Sequence, residues 1–133
     1  MKGFMPLLLV KDLADSLEFY EAKLGFTREI VVPQEAPTFA RLVRDGIVVE
    51  LEVGAGLFKA HPQLEARFDR KEVGIGVLLM LDVEDVDKLC NEFQQKGGQL
   101  FSPTRTMPWG IREFTVSDPD GYLLTFGQRV TQR

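Results

Sequence analysis

Few side chains in this chain of 133 residues are equipped for chemistry, and their surroundings decide what kind. Glu50 is a carboxylate set among Val48, Val49 and Leu51, in a run that reads as a strand. His61 is the sole histidine and Cys90 the sole cysteine. Metal sites, Ser-His-Asp triads and Cys-His pairs all need converging partners, which a histidine in a charged connector beside Pro62 is poorly placed to supply. Cys90, between Leu89 and Phe93 on an expected helix, reads as a buried structural thiol, because no neighbour would lower its pKa. A lone cysteine excludes an intrachain disulfide and points to a reducing, cytoplasmic setting.

The most distinctive stretch is Thr106-Met107-Pro108-Trp109-Gly110-Ile111-Arg112-Glu113-Phe114. Pro108 and Gly110 shape a bend holding the only tryptophan at the entrance to a strand, where an exposed indole can stack on a flat ligand. Arg112 and Phe114 share one strand face and Glu113 takes the other. Two readings stand side by side. Either Trp109 and Arg112 meet a ligand, or Trp109 closes the core and Arg112 pairs with Glu50, Glu52 or Asp82. No phosphate-binding loop, dinucleotide fingerprint or Cys-x-x-Cys is present, and Gly74-x-Gly76 opens a strand rather than a helix.

The elements that must position these residues come in two copies. Met5 to Phe26 reads apolar run, acidic cap, amphipathic helix, glycine, and Leu78 to Gln99 reads the same way. Arg44 to Leu51 falls opposite Pro119 to Phe126, each with an Asp-Gly turn. An offset of about 73 to 75 residues in both comparisons marks a structural repeat. The first copy gives strands over 4–10, 26–32, 38–43 and 47–53, with a helix from Asp12 to Gly25. The second gives strands over 73–83, 100–105, 111–116 and 122–127, with a helix over 85–96. The expected fold is α+β: two βαβββ modules related by a pseudo-twofold repeat, with mixed curved sheets and helices on the outer face. A single domain over 1–133 would comprise a first module at 1–53, a connector at 54–72 with one helical turn near Leu64 to Phe68, and a second module at 73–128.

Strand alternation sends Leu8, Val10, Val49 and Leu51 to the helix side, and Met5, Leu7, Val48 and Glu50 to the opposite, inner side. The matching inner set is Leu78, Met80, Leu123 and Thr125. Such a largely apolar surface with a few polar groups suits a small-molecule pocket at the junction of the modules. A divalent metal would need three or more donors at the four repeat-related inner positions, which here are Met5, Glu50, Leu78 and Thr125. One carboxylate among two apolar side chains will not hold it. For Glu50 itself, pairing to an arginine and contact with a ligand are equally open.

Bulk composition narrows the rest. A net charge of -4 and the lack of a Lys/Arg stripe argue against nucleic acid. No stretch is long enough to span a bilayer, and Met1 to Val10 lacks the cleavage site of a secretory signal.

Three segments carry a likeness to a known family: Val10 to Tyr20 with Leu24-Gly25-Phe26, then Phe39 to Gly46, then Pro108 to Phe126. On these the whole chain resembles the vicinal oxygen chelate superfamily of glyoxalase I, extradiol dioxygenases and bleomycin-resistance proteins. Pro-Trp-Gly followed by Arg-Glu-Phe is similar to the bleomycin-resistance branch. The metal-dependent members draw their ligands from the four inner positions, of which only Glu50 keeps a ligating type. The resemblance therefore implies a metal-independent binding protein without a cofactor, a homodimer whose clefts sequester a drug or metabolite, in the manner of antibiotic-resistance proteins. By position, Phe39 and Trp109 match aromatic residues that sandwich a flat ligand, with Glu50 and Arg112 as polar contacts. Phe58, His61 and Phe68 are candidates for one wall. The alternative is a glyoxalase- or dioxygenase-like enzyme whose ligand set is completed by His61 or the partner chain. Pairing of modules within or between chains stays open.

Overall fold

A computed structural model describes residues 1–68 and 73–131, so the end of the expected connector, residues 69–72, lies outside the described residues. The chain divides into two compact units, Met1–Val73 and Gly74–Arg133. Each is a βαβββ module with one four-stranded mixed sheet.

In the first unit, Asp12 caps the helix by accepting the Asp15 N–H on Oδ1 at 3.1 Å. Helix α1 (Leu13–Leu17) continues as a π-helical segment (Glu18–Lys23), and Gly25, with φ of 75°, turns the chain out of it. Leu13, Leu17, Phe19 and Tyr20 are buried along this helix. Tyr20 meets Phe19 and Phe26 edge-on, with ring centroids 5.1 and 5.9 Å apart. Strands β1 (Leu7–Val10), β2 (Thr27–Val32), β3 (Phe39–Arg44) and β4 (Ile47–Val53) form a sheet in the order β1-β4-β3-β2, with β1 and β4 parallel. Between β3 and β4, Asp45 and Gly46 both have positive φ, 50° and 78°, as a two-residue hairpin turn demands.

The second unit repeats the plan. Strands β5 (Leu78–Asp82), β6 (Ser102–Thr106), β7 (Ile111–Ser117) and β8 (Leu123–Arg129) run in the order β5-β8-β7-β6, with β5 and β8 parallel. Asp85 accepts the Lys88 N–H at 3.0 Å and caps α4 (Val86–Gln95), which buries Val86, Cys90 and Phe93. Gly98 follows because any side chain there would strike the Phe93 ring. At the Asp118-Pro119-Asp120-Gly121 turn, the buried Asp118 carboxylate accepts the N–H groups of Asp120 and Tyr122, both at 2.9 Å.

Two elements differ from expectation. The connector forms two short helices, α2 (Gly54–Ala60) and α3 (Pro62–Glu65), rather than a single turn near Leu64 to Phe68. Pro62 explains the break: it lacks an N–H and is accommodated at the start of α3. The first strand of each module is shorter than its apolar run, because Met5 and Val77 lie outside the ladders and are exposed. Among the described residues, no helix is long and apolar enough to cross a membrane.

Candidate functional site

Each sheet is helix-covered on one side and displays the alternate side chains on the other. In the first unit, Leu8, Val10, Ala40, Leu42, Val49 and Leu51 are all buried on the helix side. The open side carries Leu7, Phe39, Arg41, Val43, Val48, Glu50 and Glu52, since register partners share a face: Leu7 opposite Glu50, Arg41 opposite Glu50, Phe39 opposite Glu52. The sequence assignment of Glu50 to the face away from the helix matches this geometry.

Glu50 does not stand alone there. Arg41 donates to its Oε2 from Nε and from a terminal nitrogen, both at 2.7 Å, and also lies 3.6 Å from Glu29. The hydrogen bond to Glu50 holds the Arg41 guanidinium above its ordinary pKa. Of the two roles open for Glu50, arginine pairing is therefore present. The pairing was readable in principle, because equal steps outward from Asp45-Gly46 bring Arg41 to Glu50 and Phe39 to Glu52.

Glu52 is a site residue that sequence reasoning passed over except as a partner for Arg112. Burial pushes its carboxyl pKa up, opposed by the charge of His61 and reinforced by that of Glu50. The first residues of α2 cause the burial: a side chain at Gly56 would come within 2.9 Å of the Glu52 carboxylate and 3.4 Å of the Thr38 hydroxyl. His61, exposed between α2 and α3, is thus electrostatically coupled to a carboxylate on this face. Phe58 and Phe68 pack on each other, with centroids 5.8 Å apart.

In the second unit, the four-residue connection Met107-Pro108-Trp109-Gly110 joins β6 to β7. The Gly110 N–H bonds the Met107 carbonyl at 3.0 Å and the Met107 N–H bonds the Ile111 carbonyl at 2.7 Å. Gly110 adopts φ of 86°, the left-handed residue of such a hairpin. This leaves Trp109 at the tip with 53% of its surface exposed, so it does not close the core. Phe39, in the first unit, is half-buried.

Arg112 is not where a ligand contact would need it. It shares the helix side with Phe114 and Val116, both buried, and grips Asp87 on α4 through three N–H contacts of 3.0 to 3.1 Å. Thr106, its register partner, receives another at 3.3 Å. The expected partners Glu50, Glu52 and Asp82 are replaced by Asp87, in the first turn of the helix that covers this face. Glu113, by alternation, takes the open side with Thr115 and Thr125, whose hydroxyls lie 2.7 Å apart.

These positions test whether a divalent metal fits. Glu50 has one oxygen committed to Arg41, Thr125 is buried against Thr115, and Met5 and Leu78 bring no oxygen or nitrogen. The parallel registers even pair Glu50 with Leu7 and Thr125 with Met80, neither of them a strong donor. Among the described residues, no group of three or more His, Cys, Asp and Glu could hold a metal. The donor set does not fit such an ion.

The family model of the glyoxalase/bleomycin resistance protein/dioxygenase superfamily matches residues 4–126. The chain belongs to this superfamily. Solved members of similar fold include a glyoxalase/bleomycin resistance protein/dioxygenase from Nocardioides, with TM-score 0.79 and 22% identity over 100% of this chain and 87% of that one. TioX from Micromonospora sp. ML1 has TM-score 0.74 and 18% identity, covering 98% and 100%. A glyoxalase-related enzyme from Fulvimarina pelagi has TM-score 0.72 and 20% identity, covering 96% and 88%. No curated protein matches the sequence. At these identities the likeness establishes the superfamily fold, on which several chemistries occur.

Proposed function

We propose that this superfamily member is a metal-independent, cytoplasmic binding protein of the bleomycin-resistance type, a homodimer that sequesters a planar aromatic drug or metabolite in its cleft. The observation that carries this reading is the pairing of a donor-poor set at the metal positions with an indole held out at a rigid hairpin tip. Phe39 and Trp109 are the aromatic walls. Glu50, already neutralised by Arg41, supplies a polar acceptor without a bare buried charge. Arg112 acts indirectly, by fixing β7 to α4 beside the Trp109 turn, while Glu113 and the Thr115–Thr125 hydroxyls face the open side.

Sequestration needs no bond-making step; it needs a desolvated surface with few, well-aimed polar groups. Exposed Leu78 and Met80, with Leu7 across from Glu50, provide apolar area of that sort. The test is thermal stabilisation of chelator-free purified protein against a panel of planar aromatic compounds, neutral and cationic, since a ligand that binds only the folded state raises Tm. Trp109→Ala should weaken the best binder by about tenfold, near the upper end of about 0.5–1.5 kcal/mol for an aromatic pair, while leaving the unliganded Tm unchanged. Unaltered affinity, or stoichiometric Zn, Ni, Mn or Fe retained by the purified protein, overturns the reading.

A further inference from the structure

The hydroxyls of Thr115 and Thr125, register partners on β7 and β8, lie 2.7 Å apart on the open side of the second unit. Among the described residues, neither hydroxyl has another hydrogen-bond partner. Two hydroxyls bonded to each other use one proton and leave the other to be placed. Burial decides where it goes. Thr125 is 3% exposed and Thr115 is only half-buried, so a spare proton on Thr125 would be a donor shut away without an acceptor. Thr125 therefore donates to Thr115, and the Thr115 O–H is the one turned to the open side. Accepting the first bond polarises Thr115 and makes its own proton a stronger donor.

The neighbours decide what such a donor meets. Met80 is the register partner of Thr125, and Leu78 stands two residues before Met80 on the same side; both are exposed and apolar. Gly127, two residues after Thr125, puts no side chain between its own register partners Asp82 and Glu113. The register neighbours of the threonine pair, Met80 and Ser102, carry no charge, and the nearest charge along β7 on that side is Glu113, with Arg105 beyond it as its partner. An anionic oxygen would find one neutral donor there beside a repelling carboxylate, so the acceptor that fits is uncharged. We infer that the molecule held on this face is an aromatic ketone: its carbonyl oxygen accepts the Thr115 O–H, and its ring lies on Leu78 and Met80. Thr125 acts through Thr115, as a positioning residue. The inference rests on the sequestration reading and narrows its ligand to a planar compound bearing a neutral carbonyl.

Titration of the full chain with fluorenone, and with fluorene as the same planar ring system without the oxygen, tests the assignment. Fluorenone should bind about fivefold more tightly, as expected for one hydrogen bond, and its C=O stretch should fall to lower frequency on binding. Thr115→Val should erase both the preference and the frequency shift, whereas Thr115→Ser, which keeps the hydroxyl, should retain them. Thr115→Val combined with Thr125→Val leaves no orphaned hydroxyl in the sheet and should bind the two compounds equally. Trp109→Ala should weaken both compounds alike. Equal affinities in the unaltered protein, or a preference and shift that survive Thr115→Val, overturn the carbonyl assignment and leave the sequestration reading standing. Failure of fluorenone to bind while another planar aromatic compound does so has the same meaning. Failure of every planar compound removes the sequestration reading, and this inference with it.

Discussion

The two units share one plan and differ in the chemistry of their open faces. The first displays an ionic cluster, Arg41 between Glu29 and Glu50 with Glu52 beside it. The second displays Thr115 and Thr125 bonded to each other, with Leu78 and Met80 exposed nearby on β5. Its one arginine in the corresponding strand region, Arg112, has gone to the helix side to hold Asp87. Alternation along a strand is the whole switch: moving an arginine by one position transfers its charge from the open side to the helix side. The repeat thus conserves packing and leaves the open faces to diverge.

If packing is what the repeat preserves, matched core truncations should cost similar amounts in the two units. Leu51→Ala should lose about 2–5 kcal/mol and Phe126→Ala about 3–5 kcal/mol, read from chemical denaturation. Phe126 stands slightly higher because it also stacks on Phe114 at 5.2 Å. A loss at Phe126 well below that at Leu51 would break the equivalence.

The arginines should separate the faces. Removing Arg41 leaves Glu50, whose side chain is 14% exposed, without its partner. Arg41→Ala should therefore cost about 1–2 kcal/mol. Arg112→Ala should cost less than about 1 kcal/mol, since Asp87 is 57% exposed, and that loss should shrink at high salt. Equal losses would mean that the ionic cluster of the first unit is no more buried than a surface pair.

The smallest expected effect sharpens the same contrast through pH. Burial raises the Glu52 pKa in the folded state, so the folded protein binds its proton more tightly than the unfolded chain does. The stabilising contribution of that proton is full below the ordinary carboxyl pKa of 4.5 and is lost as pH rises through the raised value. Glu52→Gln should accordingly raise Tm slightly at pH 7, with the gain vanishing in acid. A gain that persists at low pH would remove desolvation as the cause.

Much of this was legible in the sequence because it depends on local or periodic signals. Both aspartate caps, the Asp-Gly turns, the strand faces and the inward or outward sense of Leu8, Val10, Val49, Leu51 and Glu50 follow from neighbours and alternation. The exposed Trp109 tip followed from Pro108 and Gly110, although the rival reading as a core residue was equally consistent with spacing. What could not be read was pairing across space. Asp87 became the partner of Arg112 through helix placement over β7, and the burial of Glu52 arose from α2, a helix with no capping residue and two glycines, Gly54 and Gly56, to mark it. Glycine argues against a helix by propensity, and here its missing side chain is what lets the segment lie close to Phe58 and Glu52.

The hairpin bearing Trp109 has one more consequence. Pro108 restricts the backbone before the indole, Gly110 satisfies the turn after it, and the Gly110 carbonyl is tied to the Val130 N–H at 2.9 Å. The tip has surrendered its freedom during folding, so for the binding role proposed above the indole is already aimed and association would sacrifice little loop entropy. Loosening the tip by Pro108→Gly should slow no encounter, yet it should shorten the time a captured molecule stays.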